Sequence, residues 1–241
     1  MNKFLFQKSW IWLAVFFGFA LMAFWPGYYS DPGGSFSFST HAHGIAMTLW
    51  CLMLISQAYL VRSKHHEIHR KVGKASYVLV PFLILSTFAL THESLQGSEP
   101  YSARNFSSLA LMINATVLFG VIYGLAIYHR KDSLTHARYM FATIFPMFTP
   151  ITDRLIYRNI RPLVEAAPTI EGSPIVPFWG FLLALILVGG LAFWDWRSNK
   201  RKDVFPTVFG MLILYHISVF TFHMVPAWRS FGNWFLGITF Y

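Results

Sequence analysis

Charged residues and cysteine are the scarcest components of this sequence. Only 12% of its 241 residues are Asp, Glu, Lys or Arg, whereas a soluble domain has about a quarter. The charges are also absent from several windows of about 20 apolar residues, the length that crosses a bilayer as a helix. The composition therefore excludes an ordinary soluble domain and predicts an all-α, polytopic integral membrane helical bundle.

The chain has a single cysteine, Cys51, inside an apolar run. One cysteine forms no intrachain disulfide and no cysteine metal cluster. The sequence also lacks a Gly-rich phosphate loop, a GxSxG motif and an HExxH motif. The last apolar segment has no lysine that could hold retinal as a Schiff base. These absences exclude several common catalytic and cofactor sites and assign no reaction.

Seven segments are long and apolar enough to span a membrane, so we predict seven transmembrane helices. The first is uncleaved, because residues 24–29 offer no small-residue cleavage site. No repeat or soluble region interrupts the pattern, and residues 1–241 are predicted to form one transmembrane domain. An aromatic tail at 227–241 is predicted to lie in the membrane interface. The predicted spans are 9–29, 44–62, 73–92, 107–128, 135–156, 175–196 and 204–225.

Basic residues alternate between the two sides of this topology. Fourteen of the nineteen Lys and Arg residues fall near the N-terminus and in or beside the loops at 62–74, 130–138 and 197–202. The positive-inside rule then places the N-terminus in the cytoplasm and the C-terminus outside. We predict a multi-pass protein of the cell membrane, of the bacterial inner-membrane type. Its net charge of +9 follows from topology, so the expected partner is the lipid bilayer rather than nucleic acid.

The ten histidines divide into two layers along the predicted spans. Ionisable groups within a membrane are expensive and commonly face an interior site, which makes these histidines functional candidates. His216 is the deepest of them in an apolar segment, although it could also hydrogen-bond Asn114 of the fourth span. The outer layer comprises His41, His43, His92, His216 and His223, and the cytoplasmic layer His65, His66, His69, His129 and His136.

The motif THAHG contains the outer candidates His41 and His43. Two residues of an α-helix are about 200° apart, so both can face one site only if the helix begins between them. Ser39 or Thr40 is a plausible N-cap for such a start. A transition-metal site would then use His41, His43 and His223. An interfacial, purely structural role remains the alternative for each histidine.

The fifth predicted span contains Pro146 and Pro150 and ends at Asp153 and Arg154. Proline kinks a helix and frees backbone carbonyls, and broken helices commonly line transport sites. We expect a small-molecule cavity lined by Asp153 and Arg154, together with Asn114 and Gln57. A salt-bridged helix end is the simpler alternative for the Asp153–Arg154 pair.

His69 and His136 are expected at the same depth in the cytoplasmic layer. Two histidines on different helices at one depth are what a bis-histidine haem b requires. The alternative is a basic loop, residues 64–73, that faces anionic lipid headgroups. Together, the cofactor-binding candidates from both layers are His43, His69, His136, His216 and His223.

Several short motifs resemble an uncharacterised bacterial family of polytopic membrane proteins. They are HxHG at His41, HRxxG at His69 and HxRYM at His136, followed by Pro150 and Arg154. The resemblance implies that His43, His69, His136 and Arg154 belong to one constellation, and it implies no activity. The two histidine layers are also loosely similar to membrane b-type cytochromes.

Three functions remain open from the sequence. The first is a redox or metal-handling protein that holds haem b or a transition metal with histidines. The second is a transporter or sensor whose outer cavity binds a small molecule. The third is a structural or assembly subunit of a larger membrane complex.

Overall fold

The computed structural model of the protein describes residues 3–31, 33–97 and 100–239. This part of the chain is 80% helical. Its helices are α1 (Lys3–Phe24), α2 (Phe38–Arg62), α3 (His66–Gly73), α4 (Ser76–Leu95), α5 (Ala103–Tyr128), α6 (Ser133–Ala142), α7 (Phe148–Asn159), α8 (Arg161–Glu165), α9 (Pro177–Asn199), α10 (Val204–Thr221) and α11 (Pro226–Leu236). Short 3-10 turns occupy Trp25–Gly27, Phe145–Met147 and Phe222–Met224. A two-residue antiparallel hairpin pairs β1 (Thr169–Ile170) with β2 (Ser173–Pro174).

Six helical segments of the described chain are long and apolar enough to cross a membrane. This result confirms a nearly all-α protein compatible with multiple membrane passes. Because the 3-10 turns and α3 extend some helices, the segments differ by several residues from the predicted spans. They are Lys8–Gly27, Phe38–Arg62, His66–Leu95, Ala103–Tyr128, Pro177–Asn199 and Val204–Met224.

The predicted span at 135–156 is not one continuous helix. α6 ends at Ala142, the 3-10 turn Phe145–Met147 follows with Pro146 in its first turn, and α7 begins at Phe148. Proline lacks a backbone N–H and its ring clashes with the preceding helical turn. The break predicted from the prolines is therefore present, and it divides this region into two shorter helices.

α2 begins earlier than its apolar run. Ser37 is the N-cap, and its hydroxyl accepts a hydrogen bond from the Thr40 amide at 3.1 Å. The predicted N-cap at Ser39 or Thr40 is wrong, because the polar turn at Phe38–His41 is already helical. Both His41 and His43 consequently lie inside α2.

The long helices pack side by side around one apolar core. α2 lies between α1 and α4, α5 lies between α4 and α10, and α9 lies between α10 and α7. Trp50 of α2 is fully buried and meets Phe119 and Tyr123 of α5 edge-on, with ring centroids 5.4 and 5.7 Å apart. Aromatic edge-to-face contacts of this kind add to the burial of apolar area. The core therefore joins α2 directly to α5.

We call the part of the bundle that contains α3 and the loops at 129–132 and 200–203 the basic end. An ion pair lies inside it: Arg138 of α6 donates from Nε and Nη2 to the two Asp195 carboxylate oxygens of α9, both at 2.8 Å. Arg138 and Asp195 are 5% and 2% exposed. Asn199 donates a further hydrogen bond to Asp195 at 2.7 Å. This bidentate contact fixes α6 against α9.

We call the part at residues 28–31, 33–37, 96–97, 100–102 and 222–226 the opposite end. Here Arg158 of α7 donates to the Ala23 carbonyl of α1 at 2.7 Å. α11 packs against α5 and α4, and Trp228 donates to the Phe106 carbonyl at 3.0 Å. Most of the tail predicted at 227–241 is thus helical and attached to the bundle, while residues 240–241 lie outside the described chain.

Candidate functional site

The two inner histidines that the sequence pairs come from separate helices at the basic end. His69 lies on α3 and His136 on α6, and an electrostatic interaction joins the two imidazoles. His136 Nδ1 contacts the Ala126 carbonyl at 2.8 Å. Because a carbonyl only accepts, Nδ1 donates this hydrogen bond, and in the neutral imidazole Nε2 is the nitrogen without a proton. Neutral imidazole in this tautomer is a form that binds transition metals.

Two buried nitrogen atoms here have no hydrogen-bond partner among the described residues: Nδ1 of His69 itself and side-chain Nε2 of Gln57, whose backbone hydrogen-bonds the His69 ring. Gln57 lies at the end of the buried stripe of α2, and a Cβ placed on Gly73 would be 3.5 Å from its Oε1. A buried polar atom that makes no hydrogen bond costs about 1–3 kcal/mol. Gln57, His69 and His136 therefore form a polar cluster with unused bonding capacity, which we call the inner cluster.

His43 is the central polar residue at the opposite end. Its Nδ1 lies 3.2 Å from the Thr87 hydroxyl of α4, and that hydroxyl also donates to the Leu83 carbonyl at 2.7 Å. Because the hydroxyl proton is already used, Thr87 accepts from His43 Nδ1–H, and Nε2 is again the unprotonated nitrogen. Arg154 of α7 interacts electrostatically with this imidazole.

Asp153 and Arg154 do not form the salt-bridged helix end that the sequence allowed. The Arg154 guanidinium carbon lies 4.3 Å from the centroid of the Phe24 ring, and Nη1 donates to the Pro150 carbonyl at 3.0 Å. Asp153 interacts electrostatically with Arg154 and with Arg104. Arg154 takes part in none of the ion pairs of the described chain. We call His43, Asp153 and Arg154 the outer cluster.

The four residues expected to line one small-molecule cavity lie at different levels. Gln57 is fourteen residues beyond His43 on α2, about 21 Å away at 1.5 Å per residue, and belongs to the inner cluster. Asn114 of α5 donates to Ser218 of α10 at 2.8 Å. Asn114 thus engages Ser218 rather than His216, the partner that the sequence suggested.

His41 and His43 lie on different sides of α2. The Tyr28 hydroxyl lies 3.4 Å from His41 Nδ1, and the Tyr28 and Phe36 rings pack against the His41 imidazole. His41 therefore contacts the segment that follows α1, whereas His43 contacts α4. This difference follows from the helix already being formed at residue 38.

The remaining outer histidines occupy three further places. His92 is buried near the end of α4, with its ring centroid 5.5 Å from that of Phe235. His216 stacks on Phe181 of α9 at 4.1 Å, and His223 lies in the 3-10 turn after α10. Nowhere in the described chain are three His, Cys, Asp or Glu side chains grouped to hold a metal ion. The set His41, His43 and His223 is accordingly not brought together as one three-ligand site.

Two carboxylates in the loops of the basic end have lowered pKa values. Hydrogen bonds from Arg201 hold the pKa of Asp203 below its ordinary value. Hydrogen bonds from the Thr135 side chain and backbone do the same for Asp132, the N-cap of α6. Arg201 also donates to the Thr135 hydroxyl at 2.6 Å. Both loops are thus tied together close to α6, the helix that carries His136.

Sequence reasoning missed the residues that position these clusters. Asp195, Thr87 and Phe181 have no distinctive spacing relative to Arg138, His43 and His216. The sequence offered one signal for them: Asp195 is an isolated charge in the predicted span 175–196, and a charge within a membrane segment normally has a partner.

Comparison with known proteins gives no further assignment: no protein-family model, no curated protein and no solved structure matches the chain.

Proposed function

We propose that the protein is a membrane redox protein that holds haem b between His69 and His136 at its cytoplasmic end. The observation that carries the proposal is that His69 of α3 and His136 of α6, two imidazoles from different helices, lie near enough to interact electrostatically. Bis-histidine ligation supplies both axial ligands of a b-type haem, and the haem supplies one-electron chemistry.

His136 makes the backbone hydrogen bond that is expected of a metal-ligating histidine. A ligating histidine commonly donates its other ring N–H to a carbonyl or carboxylate, which fixes the tautomer and ring orientation. The Ala126 carbonyl occupies this position at 2.8 Å. The Arg138–Asp195 pair lies two residues further along α6 and makes Arg138 a positioning residue for the helix.

His69 and Gln57 contribute the unused bonding capacity. Nδ1 of His69 is buried without a partner, and a metal bound through this nitrogen would satisfy it. The Gln57 amide is a donor suited to a carboxylate or carbonyl oxygen. A basic loop that faces lipid headgroups would leave its histidine nitrogens in contact with water. The buried nitrogens of His69 and Gln57 therefore favour a bound haem over that alternative.

The proposal includes the topology. α6 contacts α10 and α5, and α7 contacts α1 and α9, so we propose that α6 and α7 together form a seventh, broken crossing. The excess of Lys and Arg at the basic end then supports a cytoplasmic N-terminus and an outside C-terminus. The bacterial inner membrane is the proposed location.

An absorption spectrum of the purified full chain, prepared from haem-supplied cells, tests the haem. We expect a Soret band that shifts on reduction with dithionite, and a pyridine haemochrome of the b type. His69→Ala and His136→Ala should each lower the haem content at least severalfold, because one axial ligand is removed. His66→Ala, an exposed histidine of the same helix, is the matched control and should retain haem.

Size-exclusion chromatography separates loss of haem from loss of folding. A variant that elutes as the wild type but lacks the Soret band supports the assignment. A wild-type preparation without a Soret band, or full haem content in both alanine variants, contradicts it.

The outer cluster favours a second candidate, the binding of a small anion by a transporter or sensor. Arg154 takes part in none of the ion pairs of the described chain, and its positive charge interacts electrostatically with the His43 imidazole. Thermal stabilisation by one member of a panel of small carboxylates or phosphates would support this function. The stabilisation should disappear in Arg154→Ala and persist in Arg161→Ala, whose exposed side chain pairs with Glu165. If Arg154→Ala responds like the wild type, this candidate fails.

A further inference from the structure

α3 and α4 together are longer than the apolar core of a membrane is thick. The segment His66–Leu95 has 30 residues, about 45 Å of helix at 1.5 Å per residue, whereas the hydrocarbon core of a bilayer is about 30 Å thick. The 20 residues of α4 alone are long enough to cross it. α3, which packs against the end of α2, therefore lies at the level of the lipid headgroups.

Exposed aromatic side chains on four helices mark the same level. Tyrosine and tryptophan are enriched where a membrane meets water, because the ring is apolar and its polar atom is hydrated. At the basic end they lie in the last turns of α2, α5 and α9 and in the first turn of α4. These exposed residues are Tyr59, Tyr128, Trp196 and Tyr77. They surround the end of the bundle to which α3 belongs.

The exposed surface of α3 has an apolar side and a charged side. Ile68 and Val72 lie one turn apart and are 47% and 38% exposed. Arg70 is also exposed and lies about 200° around the helix from Ile68. His69 is on a third side, where the Gln57 backbone of α2 hydrogen-bonds its ring. An amphipathic helix of this kind lies in a membrane interface with its apolar side towards the acyl chains.

Basic residues predominate in α3 and its two connections. The chain from the end of α2 to the start of α4 has five Lys or Arg residues and one acidic residue, Glu67, which pairs with Lys71. The other four basic residues are exposed and take part in none of the ion pairs of the described chain. They are Arg62, Lys64, Arg70 and Lys74. Their positive charge complements an anionic membrane surface.

We infer that α3 is an interfacial helix that binds the phosphate headgroup of an anionic phospholipid. Basic residues such as Arg70 and Lys74 bind the phosphate, and Ile68 and Val72 pack among the upper parts of the acyl chains. An acidic protein segment or free phosphate would match the charge but would leave the apolar side of α3 in water. The side that carries His69 remains against α2, so lipid binding and haem binding are compatible.

The lipid preference at α3 of the full chain tests this inference. Cys51 is buried, so Ile68→Cys provides one reactive thiol for a bimane fluorophore. The labelled protein is reconstituted in vesicles of phosphatidylglycerol and phosphatidylcholine, with bromine on the acyl chains of one lipid or the other. At equal mole fraction, brominated phosphatidylglycerol should quench the label more than brominated phosphatidylcholine. Equal quenching by the two lipids would overturn the inference.

Neutralising two basic residues should remove most of this preference. In Arg70→Gln with Lys74→Gln we expect a severalfold lower relative binding constant for phosphatidylglycerol, because each basic residue near the surface contributes up to about fivefold. The matched control, Arg161→Gln with Arg229→Gln, removes two exposed arginines of α8 and α11 and should keep the wild-type preference. An unchanged preference in the first variant, or equal losses in both, contradicts the inference.

Two competitors distinguish the phospholipid from other anions. Inorganic phosphate should leave the preference unchanged when chloride is replaced at equal ionic strength, which holds the screening by salt constant. A polyglutamate peptide should not displace the lipid. Loss of the preference with either competitor would assign the basic residues to free phosphate or to an acidic protein segment, and would overturn the inference.

A label on the charged side of α3 tests the orientation of the helix. Bimane attached to Arg70→Cys should be quenched by aqueous iodide and weakly by brominated lipid, whereas the label at Ile68→Cys should show the reverse. Equal iodide quenching at both positions would place α3 in water and contradict an interfacial helix.

Lipid binding does not depend on the haem. The same measurement on His136→Ala should give the wild-type lipid preference whether or not the wild type has a Soret band. A lipid preference without haem would therefore contradict only the proposed function, and haem without a lipid preference only this inference.

Discussion

The two ends of the bundle stabilise their polar residues in different ways. At the basic end, charged groups of different helices compensate each other, as in the buried Arg138–Asp195 pair. At the opposite end, neutral contacts such as Tyr29–Thr48 and Thr87–His43 predominate among the inter-helix hydrogen bonds, and Arg154 packs on an aromatic ring.

The two ends therefore differ in how their arginines are neutralised: Arg138 has a carboxylate partner, and Arg154 has none among the described ion pairs. A buried guanidinium with a bidentate carboxylate has its charge neutralised and its geometry fixed. The inner cluster lies at the same end as this neutralised ion pair. Its atoms without partners are therefore the nitrogens of His69 and Gln57, and not the charged groups around them. At the opposite end Arg154 takes part in no ion pair of the described residues.

Removing one partner of the buried ion pair should destabilise the basic end. Arg138→Ala leaves the Asp195 carboxylate buried without its cation, and we expect a loss of about 3–5 kcal/mol in unfolding free energy. Thermal unfolding in detergent measures the loss. Arg161→Ala, whose pair with Glu165 is exposed at 84% and 65%, should cost less than about 1 kcal/mol.

The double variant Arg138→Met with Asp195→Leu distinguishes charge from packing. Replacing both partners by apolar residues removes the uncompensated carboxylate, so stability should recover most of the loss. Equal losses in Arg138→Ala and Arg161→Ala would show that the buried pair has no special role.

At the opposite end, the largest loss of stability is expected where Gly44 packs against Tyr28. A Cβ added at Gly44 would lie 2.7–2.9 Å from atoms of the Tyr28 ring and hydroxyl, so Gly44→Ala displaces Tyr28 from α2. We expect a loss of about 1–2 kcal/mol, because overpacking costs more than alanine gains in helix propensity. Gly124→Ala in α5 has no neighbour within 4 Å and should be neutral or stabilising. Equal unfolding midpoints for the two variants would contradict the contact.

A single neutral hydrogen bond should have a smaller effect. The Tyr29 hydroxyl lies 2.7 Å from the Thr48 hydroxyl, which donates to the Gly44 carbonyl. Tyr29→Phe removes this bond and should cost about 1 kcal/mol, measured by the same thermal unfolding. Tyr128→Phe, at a tyrosine that is largely exposed, is the control. A loss in the control as large as that in Tyr29→Phe would refute the assignment.

The smallest expected effect concerns acid and the loops of the basic end. Arg201 holds the pKa of Asp203 below its ordinary value of 3.8. A lowered carboxyl pKa stabilises the fold above the unfolded-state value, and the contribution is lost as pH falls through the folded-state value. Asp203 is half-exposed, so we expect less than about 1 kcal/mol. The difference in unfolding midpoint between the wild type and Asp203→Asn should be present at pH 7 and diminish below about pH 4. A difference unchanged at pH 3 would contradict this linkage.

Part of the fold could be predicted because hydropathy and backbone chemistry act locally. The apolar run at 44–62 predicted most of α2, and Pro146 predicted the break before α7. The start of α2 was missed because an apolar run does not mark a helix that begins among polar residues at Ser37. Local rules could not identify partners distant in sequence, such as Asp195 for Arg138.

In the inner half of the candidate site, equal depth predicted that His69 and His136 lie near each other, and the electrostatic interaction of the two imidazoles agrees with their proximity; their role as ligands stays a prediction. Depth alone could not determine that His43 and His41 have different neighbours. The contact of His216 with Phe181 also escaped prediction, because Phe181 looks like an ordinary apolar residue of a membrane helix. Three-dimensional packing of α9 against α10 brings the two rings together.

Contacts from a side chain to a backbone carbonyl join several helices, and they have a consequence for sequence variation. Arg158 bonds the Ala23 carbonyl, Trp228 the Phe106 carbonyl and Ser107 the Val219 carbonyl. Every residue type supplies a carbonyl, so the accepting position is free to vary in chemistry while the donor is not. Among homologues these pairs should show little covariation, whereas Arg138 and Asp195 should change together. A contact map inferred from covariation would therefore register α6 against α9 more strongly than α7 against α1.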